Sequence, residues 1–469
     1  MAHSNQSIVE SRLTNLSDAL RSQYDPEVPD MAYRLGSPTS RIIRPSDRVT
    51  MASDWYQMVT GHADSSRAGK SLDADFGAPR KGTVSKIQIR LDEQVSAAND
   101  FRRVDAIARL SRFDVMHMNN PESAVNIAEK VTMDSTESVN ETSTILMHAD
   151  KTAQIGTVDG TPKNNDSENF SAATTYTSGA TEARITLAGN SVGIYSPNMY
   201  LDFYTSAGVL IANGVRITDV NVSDYSCGLA LTDESNQADL DNLADTHYIY
   251  RSGEKDCGFL GGFGEAMKGT IASGDSWFGG VDRSTSSYRH LLPVKINSTG
   301  SATAISKSHL DQMASKLGYR MREESGVATV WLGGVDLAEQ LRQDIGNEAL
   351  VNTTAEDNGQ YTFGELGVTY MHPTVGRVTI LGDAAAKNDK CMLLNPEDWE
   401  MLHGYSKGIE IVTGGAGMGD WERVPGENTV GGGSMYYRRE GYSVKTPYCK
   451  KLNRQALLDN MTGTGAATP

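Results

Sequence analysis

Apolar and polar positions along this chain follow patterns that change character several times. In residues 84–91, Ile87, Ile89 and Leu91 alternate with Lys86, Gln88 and Arg90, a period of two that predicts a strand. Residues 51–60 predict its partner. Between them, His62 to Gly82 is rich in Ser, Asp, Arg, Lys and Gly and has no core of its own, so the pair predicts a long protruding hairpin. Ahead of it, residues 1–50 show no sustained periodicity. The run Leu35-Gly-Ser-Pro-Thr-Ser-Arg41 reads as extended chain that cannot bury itself.

Residues 121–147 predict a long helix. Asn120 can cap it, Pro121 suits its first turn, and Glu122 meets the positive end of the dipole. Its apolar stripe is narrow: Ala124, Ile127, Ala128 and Val131, continued by Val139 and Leu146. Such a helix needs support from neighbouring elements. Residues 183–250 then turn β-rich, with short apolar runs at Ala183–Leu187, Val192–Tyr195, Met199–Tyr204, Val209–Ile211, Val215–Val222, Cys227–Leu231 and Tyr248–Tyr250. Asn213-Gly214 between two of them predicts a hairpin turn. The spacing predicts a small barrel or sandwich inserted into the surrounding domain.

Beyond a glycine-rich junction, Gly258–Gly264, the pattern is mixed. Leu310, Met313, Ala314, Leu317 and Met321 have helical spacing, with Ser308 as cap. Val327–Leu332 predicts a strand, and Leu337, Ala338, Leu341 and Ile345 a second helix stopped by Gly346. Strands are expected at Val378–Leu381, Cys391–Leu394, Ile409–Val412, Trp421–Val424, Met435–Arg438 and Tyr442–Val444. The fold class is therefore α+β.

Composition narrows the function. A chain of 469 residues can bury several cores, so two or three domains are expected. Lys and Arg number 43 against 59 Asp and Glu, a formal charge of −16. A wide phosphate-gripping face needs a basic excess, so this balance favours solubility and allows DNA to be enclosed without being held. The four cysteines, Cys227, Cys257, Cys391 and Cys449, are far apart and form no CxxC pair, which argues against structural zinc and a disulfide framework. The first residues lack an apolar signal region, and no run approaches a membrane span. N-x-S/T triplets such as Asn140-Glu-Thr142 read as chance.

Catalytic motifs are approached and missed. Gly189-Asn-Ser191-Val-Gly193 matches the GxSxG elbow, but Ile194-Tyr-Ser-Pro197 follows, which is strand-like and then blocked by proline, so Ser191 is expected in a β-turn. Gly69-Lys70-Ser71 resembles the end of a phosphate-binding loop, yet Asp64 stands where its first glycine belongs. Gly414-Gly-Ala-Gly-Met-Gly419 misses the dinucleotide spacing. His117, His148, His290, His309, His372 and His403 form no HxH or HxxxH pair, and the carboxylate pairs Asp233-Glu234 and Glu323-Glu324 read as solvated. No catalytic, cofactor or metal residue is expected.

The order of parts, together with four phrases, resembles the HK97-like fold of the major capsid proteins of tailed double-stranded DNA phages. Ser143-Thr-Ile-Leu-Met-His-Ala-Asp150 is similar to the end of that family's spine helix. Gly376-Arg-Val-Thr-Ile-Leu-Gly-Asp383 and Cys391-Met-Leu-Leu-Asn-Pro-Glu-Asp-Trp399 are similar to its late strand pair and "L-N-P-x-D-W" phrase. Tyr436-Tyr-Arg-Arg-Glu-Gly-Tyr-Ser-Val-Lys-Thr-Pro447, followed by Asn453, is similar to its closing strand.

The resemblance implies an N-terminal arm (1–50), an E-loop hairpin (51–91), a peripheral domain with the spine helix (92–165), a β-barrel-like insertion (166–257), an axial α/β domain (258–424) and a return to the peripheral domain (425–469). It also implies self-assembly into pentamers and hexamers of an icosahedral shell around double-stranded DNA. The expected partners are the chain itself, a separate scaffolding protein, a portal and a decoration protein, with no membrane. The expected location is the virion, assembled in the host cytoplasm. Some members are cross-linked through lysine; Lys70, Lys81 and Lys86 lie in the hairpin region, but no matching asparagine or glutamate is found, and cross-linking is not expected. Competing readings are an encapsulin-like nanocompartment shell, a tail tube or decoration protein, and a hydrolase using Ser191.

Overall fold

In the computed structural model, the described residues are 38–49, 55–60, 84–89, 102–111, 137–165, 175–232, 240–268, 271, 276–277, 281–284, 291–297, 303–319, 329–346, 368–373, 375–403, 410–412, 422–424 and 436–462. They build an α+β architecture of two large sheets and a closed barrel, with three apolar cores.

One long strand, Tyr436–Cys449, organises the first sheet. Its Tyr, Val and Thr content suits a pleated, half-buried ribbon. Residues expected as two short strands join into one, because Arg102–Ser111 pairs with it antiparallel from Tyr436 through Lys445. Pro447 lies past the end of that ladder, where no strand among the described residues on that side calls for its missing N–H. On the other edge the long strand pairs with Trp399–His403, Glu410–Val412 and Glu422–Val424. Arg44–Val49 then adds parallel to Trp399–His403.

The second sheet has the order Val294–Asn297, Ala456–Asp459, Lys390–Leu394, Thr329–Gly333, Gly376–Gly382, Val368–His372. Helices Lys307–Gly318 and Val335–Gly346 share its core. Leu310, Met313, Ala314, Leu317, Leu337 and Leu341 are wholly buried, as the helical spacing predicts. Each large side chain so buried contributes about 1.5–3 kcal/mol. The first of these helices is capped by Ser306, not Ser308, and the Ser306 hydroxyl bonds His309 Nδ1 at 2.8 Å. Sheet pairing divides the C-terminal third differently from the expected boundaries. Trp399–His403, Glu410–Val412 and Glu422–Val424 join the first sheet, and Ala456–Asp459 joins the second.

The β-rich region closes into an antiparallel barrel: Tyr248–Arg251, Gly156–Lys163, Glu182–Leu187, Ser226–Ala230, Leu210–Asn221, Tyr200–Tyr204 and back to Tyr248–Arg251. A barrel this narrow is filled by its own side chains, here Ile185, Leu187, Leu201, Phe203, Val215, Ile217, Leu229 and Ile249 among others. It begins at Gly156, ahead of the expected residue 166.

Two local expectations fail within the barrel. Val192–Tyr195 is a turn. Asn213-Gly214 makes no hairpin: Leu210–Asn221 runs straight through it. The register passes from Leu201↔Val215 to Phe203↔Ala212, so Asn213 and Gly214 face the single residue Asp202. Gly214 has φ 62, and its N–H donates to Asp202 Oδ1 at 2.8 Å. The positive φ that Asn-Gly supplies for a turn here serves a β-bulge.

The hairpin is present, with Trp55–Thr60 antiparallel to Val84–Ile89. Its loop lies outside the described residues. Of the long helix, residues 137–148 are described and helical, with Val139 and Leu146 buried; 120–136 lie outside. The expected extended run before Arg41 is corrected by a single helical turn, Pro38–Ile42, which Pro38 opens with its fixed φ.

Candidate functional site

The two sheets and the barrel meet at a polar joint that three of the recognised sequence phrases build. Leu394 ends a strand of the second sheet and Trp399 starts one of the first. Between them Asn395-Pro-Glu-Asp398 makes one tight turn, with Asn395 Oδ1 accepting the Glu397 N–H at 3.2 Å. Gln455, wholly buried, closes the turn from the other side. Its Oε1 accepts from the Asn395 N–H (2.7 Å) and the Trp399 indole (3.3 Å), and its Nε2 donates to Asp398 Oδ2 (3.2 Å). The buried side chains of Asn395, Asp398, Trp399 and Gln455 are thereby partnered, which braces the connection between the sheets.

The ring of Trp399 meets Phe263 edge-on at 4.6 Å, and Phe263 meets His148 at 5.7 Å. His148 ends the described helix. Its Nε2 shares a 2.7 Å hydrogen bond with the Thr39 hydroxyl. Thr39 also donates its N–H to Asp383 Oδ2 at 3.0 Å and makes a short hydroxyl contact with the same oxygen. Asp383 Oδ1 accepts the Ala385 N–H at 2.9 Å. The cluster clasps an N-terminal turn, the end of the helix and a loop of the second sheet.

Burial by itself raises the Asp383 carboxyl. The neighbouring His148 imidazole, and the Thr39 and Ala385 donors, outweigh that and hold it well below the usual carboxylate range. Thr, His and Asp together evoke a nucleophile triad, but the order is wrong. Asp383 bonds the hydroxyl, stands 3.9 Å from the histidine nitrogen that the hydroxyl also uses, and Thr39 is fully buried. The arrangement can lock segments together; it cannot present a nucleophile.

Close backbone packing completes the joint. A Cβ on Gly258 would stand 1.9 Å from the Asp150 carbonyl oxygen, and one on Gly264 would stand 2.2 Å from that of Ala149. The glycine-rich junction is thus a strap pressed on the end of the helix. The barrel is fixed to the second sheet by Ser191, whose hydroxyl accepts the Asn388 N–H (3.0 Å) and donates to the Gly189 carbonyl (3.0 Å). Tyr225 OH donates to Asp336 Oδ2 at 2.8 Å, and burial together with Asp336 raises that phenol to about 12.

Two cavities open along the helix. One, about 330 Å³, lies between the helix, the barrel at Gly193 and Ile194, and Asp383–Ala385. The other, about 490 Å³, runs past Met199, Tyr200 and Arg251. Glu141 lines both.

The residues weighed in the sequence separate. Ser191 meets Gly189 and Asn388 and sits in the irregular link after a barrel strand, at a fastening point. His148 joins the clasp; His309 bonds Ser306; His372 and His403 are buried in different sheets. His117, His290, Lys70, Lys81, Asp233-Glu234, Glu323-Glu324 and the 414–419 glycines lie outside the described residues, as does the side chain of Lys86. Among the described residues no His, Cys, Asp and Glu side chains gather as a metal site. The sequence reading missed Thr39 and the pairing of His148 with Asp383, although each of the latter stands at or near the end of a recognised phrase.

No protein-family model and no curated protein matches the chain. Among solved structures it is similar to the cyanophage A-1(L) capsid asymmetric unit, at 11% identity over 91% of this chain and 93% of that one, with a TM-score of 0.42. It is similar also to the capsid of an empty GTA particle, at 8% identity over 91% and 90%, TM-score 0.38. A third likeness is to the satellite phage P4 procapsid including size determination protein, at 8% identity over 95% and 96%, TM-score 0.37.

Proposed function

We propose that this chain is the repeating subunit of an icosahedral shell, the major capsid protein of a tailed double-stranded DNA phage. One observation carries the reading. Trp55–Thr60 and Val84–Ile89 form a two-stranded sheet that joins no other strand among the described residues. An isolated two-stranded hairpin is at best marginally stable in water, so this element needs a surface to lie on. A second copy of the chain supplies one, and repetition of that contact around symmetry axes closes a shell.

The rest of the protein is consistent with that role. Its polar groups are spent on fastening one segment to another, as in the clasp and the Gln455 turn, and its role is structural, not catalytic. The net charge of −16 suits a container that encloses DNA without adhering to it. In this reading the two sheets form the peripheral and axial parts and the barrel is the insertion. Pentamers and hexamers assemble in the host cytoplasm with a scaffolding protein and a portal, and a decoration protein binds the finished virion.

The test is assembly. The purified chain, alone and co-expressed with scaffolding protein, is examined by negative-stain microscopy and sedimentation. Closed particles of uniform diameter are expected. Monodisperse small oligomers under every condition overturn the proposal.

A further inference from the structure

The groove over helix residues 137–148 carries charge and hydrogen-bonding capacity that no described residue takes up. Glu137 and Glu141 stand one turn apart at the rim of the 330 Å³ cavity, both exposed, and neither forms an ion pair or hydrogen bond among the described residues. Like charges at this spacing repel, so the pair costs helix stability unless a cation neutralises it. Between them Asn140 lines the same cavity. It is only 9% exposed, and its Nδ2 is buried without a hydrogen-bond partner among the described residues. A buried polar group left unpaired in this way is costly and marks a place where a partner group is expected. The cavity floor is apolar, formed by Ile145, Ile194 and Ala385.

We infer that this groove receives a lysine- or arginine-bearing segment from a second copy of the chain. The inference rests on the shell reading and names a contact within it. An apolar floor below an acidic rim fits a long aliphatic stem with a cationic head, the amphipathic shape of those two side chains. The stem covers Ile145 and Ile194 while the head reaches Glu137 and Glu141. The Asn140 carboxamide pairs with a backbone peptide group of the same segment, Nδ2 donating to its carbonyl. Because Glu141 also lines the second cavity beside Tyr200, the groove is long enough to seat a segment and not just one side chain. Copies with a net charge of −16 repel one another over distance, and a local cation-to-carboxylate contact gives such copies register and specificity.

The test uses the full chain. Glu137→Lys with Glu141→Lys is compared with Asp159→Lys, an exposed barrel carboxylate outside the groove. The expected result is a loss of assembled particles of at least roughly tenfold for the double reversal, against no change for the control. Unassembled chains should keep the same circular dichroism. In parallel, particles built from mixed ¹⁴N- and ¹⁵N-labelled copies are treated with a carbodiimide. Mixed-isotope links from Glu137 or Glu141 to a lysine support the proposal. Unchanged assembly of the double reversal overturns it, as does a link that joins the groove to a co-expressed protein of another kind. If the wild-type chain itself never assembles, the shell reading falls and this contact with it.

Discussion

Replacing Asp383 by Asn preserves the shape of the clasp and removes one acceptor oxygen and one charge. In the wild type Oδ2 accepts the Thr39 N–H at 3.0 Å and contacts the Thr39 hydroxyl, while Oδ1 accepts the Ala385 N–H at 2.9 Å. An amide has a single oxygen, so in either orientation one set of donors faces an NH₂ group. Leaving a buried donor unsatisfied costs about 1–3 kcal/mol. Loss of charge assistance in the remaining bond adds about 1 kcal/mol, since bonds to ions are roughly twice as strong as neutral ones.

Asp383→Asn is therefore expected to lose about 2–4 kcal/mol of unfolding free energy at neutral pH. Urea unfolding of the unassembled chain, followed by tryptophan fluorescence, measures it. Trp399 reports on the region through Phe263 and His148. The pH dependence has a fixed sign. The folded carboxyl lies below its unfolded range, so its contribution is complete above about pH 4 and is lost as pH falls further. A difference from wild type under about 0.5 kcal/mol at neutral pH refutes the reasoning. So does a difference that stays constant on acidification well below about pH 4.

Three further outcomes follow from the same geometry. Gly264→Ala places a methyl 2.2 Å from the Ala149 carbonyl oxygen, so thermal melting should show a loss of about 1–3 kcal/mol; an unchanged midpoint would mean the strap is not tightly pressed. Lys445 is buried, and burial lowers its amine to about 8, so the cost of the charged form is fully present below that pH. Lys445→Met should stabilise the chain at neutral pH by on the order of 1–3 kcal/mol, while wild-type stability rises between about pH 8 and 10; a less stable methionine variant contradicts this. Ser191→Ala removes the acceptor of the Asn388 N–H and should cost about 1–3 kcal/mol; abolition of an esterase activity at unchanged stability would restore the enzyme reading.

Much of the local structure could be read from periodicity. The buried stripe Leu310, Met313, Ala314, Leu317 reflects one helix meeting one apolar surface, the alternation around Ile87 reflects the pleat of a strand, and a short window of sequence contains that information. The sequence also determined that the stretch is β-rich, as a barrel or a sandwich, and that Ser191 starts no helix; strand pairing closed the barrel. Asn213-Gly214 was ambiguous because a positive φ is required equally by a turn and by a bulge; the neighbouring strand, with Asp202 waiting for the Gly214 N–H, decided between them.

What tertiary structure alone decided is which distant groups meet. Thr39 and Asp383 lie 344 residues apart, and their hydrogen bond has no local pattern, since either residue by itself is an ordinary polar side chain. The same holds for Gln455 closing the Asn395 turn, and for Ala456–Asp459 crossing into the second sheet. Periodicity reports the face an element buries. It carries no record of what lies against that face, because the apolar contacts that drive packing are non-directional and the polar contacts that select partners form only once the chain has brought them together.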